Sequence, residues 1–118
     1  MGSLSTHVLD TANGCPAANI LIELVRLEPQ GSRTLLTSMR TNADGRTTAP
    51  LLAGKALARG SYELVFHVGE YFRERGSFAA DPPFLDLIPV RFQIAERPQH
   101  YHIPLLVSPY GYTTYRGT

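Results

Sequence analysis

The sequence lacks several features that would restrict its function at once. Tryptophan is absent and cysteine occurs once, as Cys15, in a chain of 118 residues. A single cysteine cannot form a disulfide within the chain, which argues against a small disulfide-stabilised scaffold and fits a reducing compartment. Charge of one sign is not in excess, because eleven basic and ten acidic residues give a formal net charge of +1. This balance argues against nucleic acid or an acidic membrane as a partner, since binding either requires clustered Lys and Arg.

Long apolar segments are also missing from the chain. No run approaches the roughly 20 apolar residues that span a bilayer, and no basic segment followed by an apolar one marks a secretory signal. We therefore expect no membrane partner and a cytoplasmic location. Hydrophobic residues nevertheless make up 43% of the chain, so a domain of this length can bury a core without a disulfide or a metal. We expect a single domain spanning residues 1–118.

The dominant pattern in the chain is an alternation of apolar and polar residues with a period of two, interrupted by turn-forming residues. Turns are expected at 13–14 and 42–45, and a helix of one or two turns over 70–75. The alternation predicts a short extended piece at 50–52 and strands at 4–10, 19–27, 34–41, 61–68, 87–95, 100–107 and 112–117. Seven or eight short strands at this spacing predict an all-β sandwich.

Alternation within two of these strands places histidines away from the core. In the strand at 100–107 the apolar residues share one face, so His100 and His102 take the other. His7 likewise lies opposite the apolar face of the first strand. One histidine on a half-exposed strand is more often a polar surface residue, but two on one face can handle a water molecule, because the pKa of histidine lies near neutrality. Arg46 follows the turn at 42–45, where an arginine is more often a solvated charge.

A zinc site is an alternative interpretation of the same histidines. His100 and His102 on one face of a strand can ligate zinc, with His7 as a third ligand and water as the fourth. The metal would then generate the attacking hydroxide, and the protein would still be a hydrolase. No carboxylate or cysteine obviously completes such a site in the sequence, and the alternative stays open at this point.

Several segments of the chain suggest a family. Residues 4–10 and 14–17 read LSTHVLD and GCPA, residues 41–46 read TNADGR, and residues 84–92 read FLDLIPVRF. The last segment, 100–118, reads HYHIPLLVSPYGYTTYRGT and is the most specific of the set. In this order, and across nearly the whole chain, the segments resemble the 5-hydroxyisourate hydrolases of the transthyretin-like family.

The resemblance implies a transthyretin-like β-sandwich of two four-stranded sheets with one short helix. It also implies a homotetramer, assembled as a dimer of dimers, whose active sites lie in a central channel between subunits. The implied reaction is hydrolysis of 5-hydroxyisourate to 2-oxo-4-hydroxy-4-carboxy-5-ureidoimidazoline in urate catabolism, with no metal or organic cofactor. The implied catalytic residues are His7, Arg46, His102 and Thr118, and the implied substrate-binding residues are Tyr115, Arg116 and Gly117.

Together with the face assignment of the histidines, the resemblance predicts a role for each catalytic residue. His7 and His102 hold a water molecule and take its proton. Arg46 anchors a carbonyl and stabilises the tetrahedral intermediate with its planar donor fork. Thr118 orients a histidine or the substrate; the family usually has serine at this position, and we expect activity to survive because threonine keeps the hydroxyl while adding a methyl group.

A non-catalytic carrier is the alternative function that the same fold allows. Transthyretin shares the implied fold and binds a hydrophobic hormone in its channel. His7, Arg46, His102 and the Tyr-Arg-Gly of 115–117 nevertheless resemble the hydrolases and not the carrier.

Overall fold

The computed structural model of the protein describes residues 2–76, 81–95 and 99–118. Within these residues the chain forms nine β-strands, one α-helix and a turn of 3-10 helix at Gly54–Ala56. None of the described helical segments combines the length and the apolar character needed to cross a lipid bilayer. In chain order the main elements are β1 Ser3–Asp10, β2 Cys15–Pro16, β3 Leu21–Leu27, β4 Arg33–Arg40, β5 Leu52–Ala53, β6 Gly60–His67, α1 Val68–Arg75, β7 Leu87–Ile94, β8 His100–Ser108 and β9 Gly111–Thr114.

The strands form two sheets, and the predicted all-β sandwich with one short helix is confirmed. One sheet has the order β4-β3-β6-β7, with each neighbouring pair antiparallel. The other has the order β2-β1-β8-β9, in which β1 and β8 run parallel. This second sheet has five strands where four were expected. The difference arises because β5, expected as a short extended piece, pairs with Ser3 and Leu4 at the start of β1.

The hydrophobic core lies between the sheets and is built from the apolar faces that the alternation predicted. On β6, Tyr62, Leu64 and Phe66 are completely buried. On β8 the buried positions include the predicted set of Tyr101, Ile103, Leu105 and Val107. The opposite faces of β1 and β8 therefore point away from the core, and these faces carry the histidines.

The strand β6 departs from simple alternation, because its second face is buried as well. Glu63 is 5% exposed although it points away from the core. Its carboxylate lies 2.7 Å from the guanidinium of Arg33 on β4 and 3.4 Å from that of Arg91 on β7. These two arginines reach across the sheet from either side and pair with the carboxylate. Burial of the charged carboxylate without such partners would be strongly unfavourable.

Element ends differ from the predicted ones where a local contact intervenes. The helix α1 begins at Val68, before the predicted start at 70, and ends at Arg75 as predicted. The strand β3 begins at Leu21 and not at 19, because Asn19 has a positive φ of 60° that interrupts the extended backbone. The strand β9 ends at Thr114 and not at 117, because the following tail turns to make an isolated bridge with β8.

Candidate active site

The parallel pairing of β1 with β8 sets the geometry of the candidate site. The register places Ser5 beside His102 and His7 beside Pro104. Because side chains alternate along each strand, Ser5, His7 and His102 share the face that points away from the core. The two histidines are therefore diagonal neighbours on that face, and both are partly buried.

A turn docks on β1 next to His7 and leads directly into Arg46. The carbonyl of Gly45 accepts a hydrogen bond from the backbone N–H of Val8 at 2.8 Å, and the carbonyl of Asp44 accepts one from Nε2 of His7 at 2.8 Å. Gly45 has a φ of 76°, and a Cβ at this position would collide with the carbonyl oxygen of Val8. The close docking therefore requires glycine, and it holds Arg46 close enough to His102 for its charge to act on that ring.

The surroundings of His102 favour the neutral form of its ring. Burial is the largest cause, and it lowers the pKa of His102 below its ordinary value because the charged form loses hydration. The positive charges of Arg46 and of a protonated His7 lower this pKa further. A hydrogen bond from the ring to the backbone of Ser5 acts in the opposite direction without reversing the shift. His102 is therefore neutral near pH 7, which is the form that a general base requires.

The C-terminal tail reaches the same histidine from the other side of β8. The backbone N–H of Gly117 donates to the carbonyl of His102 at 2.7 Å. A Cβ on Gly117 would lie 2.6 Å from Cδ2 of the His102 ring, so a larger residue could not approach this closely. Thr118, the residue that follows Gly117, is exposed. The structure therefore brings Gly117 to His102 within one chain, and the role of Thr118 stays a prediction.

The side chains of Tyr115 and Arg116 lie elsewhere in the single chain. The guanidinium of Arg116 donates to Oε1 of Gln99 at 2.9 Å and to the carbonyl of His100 at 3.1 Å, and it lies 4.4 Å from the ring centroid of Tyr101. Both Tyr115 and Arg116 line a cavity of about 190 Å³ between β7 and β9. Within one chain these side chains therefore lie away from the candidate pair His7 and His102, and their substrate-binding role stays a prediction.

A cavity next to the candidate site is lined in part by residues that the sequence did not mark as site residues. It measures about 200 Å³ and is lined by Ser5, Thr6 and the segment from Arg46 to Pro50. The hydroxyl of Ser5 lies 2.8 Å from Nδ1 of His102, which links the cavity wall to the candidate base. Strand alternation already put Ser5 on the face of His7, but the sequence could not show that β8 lies beside β1.

The histidines proposed as zinc ligands are bound to other partners. Nδ1 of His100 lies 2.9 Å from the hydroxyl of Ser3, while His102 and His7 are bound to Ser5 and to the Asp44 carbonyl. In the part of the chain that the structure describes, no three or more His, Cys, Asp or Glu residues are arranged to hold a metal ion. The zinc alternative therefore finds no ligand set among these residues.

Comparison with known proteins assigns the chain to a family. The model of the HIUase/Transthyretin family matches residues 4–117. The chain belongs to the HIUase/transthyretin family. The resemblance seen in the sequence motifs is thereby confirmed.

Relatives within the HIUase/transthyretin family extend over the full chain. The 5-hydroxyisourate hydrolase 2 of Rhizobium meliloti is 56% identical over 117 residues, covering 99% of this chain and 97% of the relative. The structure of Klebsiella pneumoniae 5-hydroxyisourate hydrolase is 35% identical with a TM-score of 0.81, and each chain is covered completely. A crystal structure of (S)-allantoin synthase is 50% identical with a TM-score of 0.92, but this chain spans 44% of that longer chain.

Proposed function

We propose that the protein hydrolyses 5-hydroxyisourate to 2-oxo-4-hydroxy-4-carboxy-5-ureidoimidazoline in urate catabolism. The observation that carries the proposal is the pair His7 and His102 on one sheet face of a HIUase/transthyretin chain, with Arg46 in the adjoining loop close enough for its charge to act on His102. The identity of 56% to the Rhizobium meliloti hydrolase over nearly the whole of both chains supports the same substrate. The proposal treats residues 1–118 as a single domain.

The proposed mechanism is attack of an activated water on a cyclic amide. His102 takes a proton from the water while the water oxygen forms a bond to the amide carbonyl carbon. The carbon–nitrogen bond of the ring then breaks, and His102 returns the proton to the leaving nitrogen, which balances the step. His7 shares the sheet face and holds the water in place. The lowered pKa of His102 supports its role as the proton acceptor, since the ring begins the reaction neutral.

Charge stabilisation in the proposed mechanism comes from Arg46. Its planar guanidinium is always protonated and presents several donors to the oxygen that becomes negative in the tetrahedral intermediate. The cavity of about 200 Å³ lined by Ser5 and Arg46 supports binding of the substrate carbonyl at this position. Thr118 directly follows Gly117, whose N–H donates to the carbonyl of His102, and it orients the ring or the substrate through its hydroxyl.

We also propose that the enzyme assembles as a homotetramer, a dimer of dimers, with sites in a channel between subunits. The terminal strands β7 and β9 support this assembly, because they carry exposed apolar side chains at Leu87 and Tyr112. Unpaired edge strands with apolar side chains are prone to pair with another chain. Tyr115 and Arg116, which lie away from His7 and His102 of their own chain, become candidates for contacts across subunits.

A cytoplasmic location belongs to the same proposal. Cys15 is a free cysteine, and free thiols persist in reducing compartments. Cell fractionation with a periplasmic marker enzyme as reference tests this part, and recovery of the protein with the periplasmic marker would contradict it.

A coupled assay tests the proposed function. Urate oxidase generates 5-hydroxyisourate in the cuvette, and ultraviolet absorbance follows its decay with and without the protein and with EDTA. We expect acceleration that persists in EDTA, and a loss of about 10²–10⁴-fold in rate in His102→Ala, the usual contribution of a general base. The matched control is His100→Ala, because His100 lies on the same strand face and outside the proposed site. We expect this variant to keep the wild-type rate.

Three outcomes of the assay would change the proposal. Acceleration that EDTA abolishes would favour a metal-dependent hydrolase. A folded protein without acceleration would favour a carrier, tested by saturable binding of an iodinated phenol. Equal losses in His100→Ala and His102→Ala would remove the specific role of His102.

A further inference from the structure

A serine holds the proposed base from the neighbouring strand. The hydroxyl oxygen of Ser5 lies 2.8 Å from Nδ1 of His102, a distance typical of a good hydrogen bond. The two residues are direct partners in the parallel register of β1 and β8. Both are partly buried, so water competes poorly for the contact. The backbone of two adjacent strands therefore fixes this pair.

The partners of the His102 ring decide which nitrogen carries the proton. Nδ1 faces the hydroxyl of Ser5, which can accept a hydrogen bond as well as donate one. When the hydroxyl accepts, the proton of the neutral ring sits on Nδ1, and Nε2 keeps its lone pair.

We propose that Ser5 is a positioning residue that fixes the Nδ1–H tautomer of His102 and so presents the unprotonated Nε2 to the attacking water. The inference deepens the proposed function and rests on it. When Nε2 takes the proton of the water, the ring becomes an imidazolium whose Nδ1–H still donates to Ser5. Bases in other enzymes are oriented in the same way by a third group, which sets the tautomer without touching the substrate.

The chain contains a matched pair that serves as an internal control. The hydroxyl of Ser3 lies 2.9 Å from Nδ1 of His100, one repeat along the same two strands. This second pair is exposed, and Ser3 does not line the cavity beside Arg46, whereas Ser5 does. A substitution at Ser3 therefore removes the same kind of hydrogen bond from the same sheet face without reaching the proposed base.

The test compares two β-branched residues of nearly equal shape at position 5. Ser5→Thr keeps a hydroxyl, whereas Ser5→Val removes it and retains strand propensity. We expect kcat for 5-hydroxyisourate to fall about 10-fold in Ser5→Val with KM within about twofold, and to stay near wild type in Ser5→Thr and Ser3→Ala. Nitrogen-15 NMR of the free protein should show the Nδ1–H tautomer of His102 in wild type and Ser5→Thr, and a mixture of both tautomers in Ser5→Val.

The two readouts separate this inference from the proposed function. A wild-type protein without turnover would refute the proposed function, while the NMR measurement would still judge the tautomer. An unchanged tautomer in Ser5→Val would refute the inference, because the serine hydroxyl would then not be needed to set the ring. A changed tautomer with unchanged kcat would refute it as well, since positioning would then not matter for the reaction. An equal fall of kcat in Ser3→Ala would point to a general effect on the sheet.

Discussion

At the scale of single residues, each histidine of the candidate site has one ring nitrogen hydrogen-bonded to a fixed protein group. Nε2 of His7 donates to the carbonyl of Asp44, and Nδ1 of His102 is hydrogen-bonded to the hydroxyl of Ser5. Each contact leaves one nitrogen available and sets the rotation of the ring before any substrate arrives. A site held in this way loses little free energy to reorganisation during the reaction.

The charge of Arg46 gives a prediction about pH. Arg46→Gln removes a positive charge that disfavours protonation of His102, so the pKa of His102 should rise toward its ordinary value. The base then becomes protonated at a higher pH, and the acid limb of kcat/KM should move upward along the pH axis. Arg46→Lys keeps the charge and should leave the limb in place even if the rate falls, because lysine lacks the planar fork.

The pH dependence of kcat/KM measures this effect directly, since it reports groups of the free enzyme. A limb that stays in place or moves to lower pH in Arg46→Gln would show that Arg46 does not act on the base. A shift of the limb in Arg46→Lys equal to that in Arg46→Gln would show that shape and not charge is responsible.

At the scale of elements, alternation was enough to predict most strands and the direction of their side chains. It placed the side chain of His102 on the other face of its strand from Ile103, and that of His7 on the other face from Val8. Both assignments agree with the buried faces of the structure. It failed at Glu63, where the pattern predicts an exposed residue, because arginines from two other strands cover the carboxylate. Burial by distant side chains leaves no periodic signal in the sequence.

The contacts that assemble the site could not be read from periodicity. The Ser5–His102 contact joins residues 97 positions apart, and a pattern of strands does not say which two become neighbours. The docking of the 42–46 turn on β1 depends on the close approach of Gly45 to Val8. Glycine is common in turns, so the sequence does not show that this turn requires one. The need for glycine at position 45 follows only from the close approach of β1. Family motifs supplied the grouping that periodicity could not.

The helix α1 is joined to the end of β1 by a buried polar contact. Asp10 is buried, and burial by itself would raise the pKa of its carboxyl. Hydrogen bonds from the side chain of Asn13, the hydroxyl of Tyr71 and the backbone of Asn13 and Ala12 outweigh that effect and hold the pKa below its ordinary value. The same contact, with burial as the larger cause, raises the pKa of Tyr71.

Removal of the Tyr71 hydroxyl should destabilise the protein in a pH-dependent way. Tyr71→Phe takes one donor from the ionised Asp10, and we expect a loss of about 1.5–3 kcal/mol in the free energy of unfolding at pH 7. The lowered pKa of Asp10 means that its contribution is full above the ordinary value near 3.8 and is lost as pH falls through the folded value. The difference between variant and wild type should therefore shrink on acidification.

Urea denaturation at one protein concentration and several pH values checks this prediction. The control is Tyr110→Phe, since Tyr110 is 65% exposed and its loss of a hydroxyl should change little. A Tyr71→Phe difference that stays constant or grows at low pH would contradict the assigned role of the ionised Asp10.

At the scale of the whole molecule, the sandwich is open on one side. The terminal strands β7 and β9 of the two sheets lie on that side, because side chains of both line the cavity of about 190 Å³. Val90 and Phe92 are only partly buried there, so part of the apolar interior is accessible to solvent in a single chain. Pairing of the same strands from a second copy would extend both sheets and cover this opening, which is why we expect the first level of assembly at this edge.

A charge on β7 should therefore disrupt the assembly, while the same charge at the opposite edge should not. Leu87→Lys places a positive charge on the exposed side of β7, and its control Leu35→Lys does so on β4, the other terminal strand of that sheet; both leucines are at least half exposed. Light scattering coupled to size exclusion should give the mass of four chains for wild type and Leu35→Lys and a smaller mass for Leu87→Lys. Because the proposed sites lie between subunits, activity should fall with the mass. A wild-type protein with the mass of one chain would contradict the proposed tetramer, and full activity in a monomeric Leu87→Lys would show that each chain forms a complete site by itself.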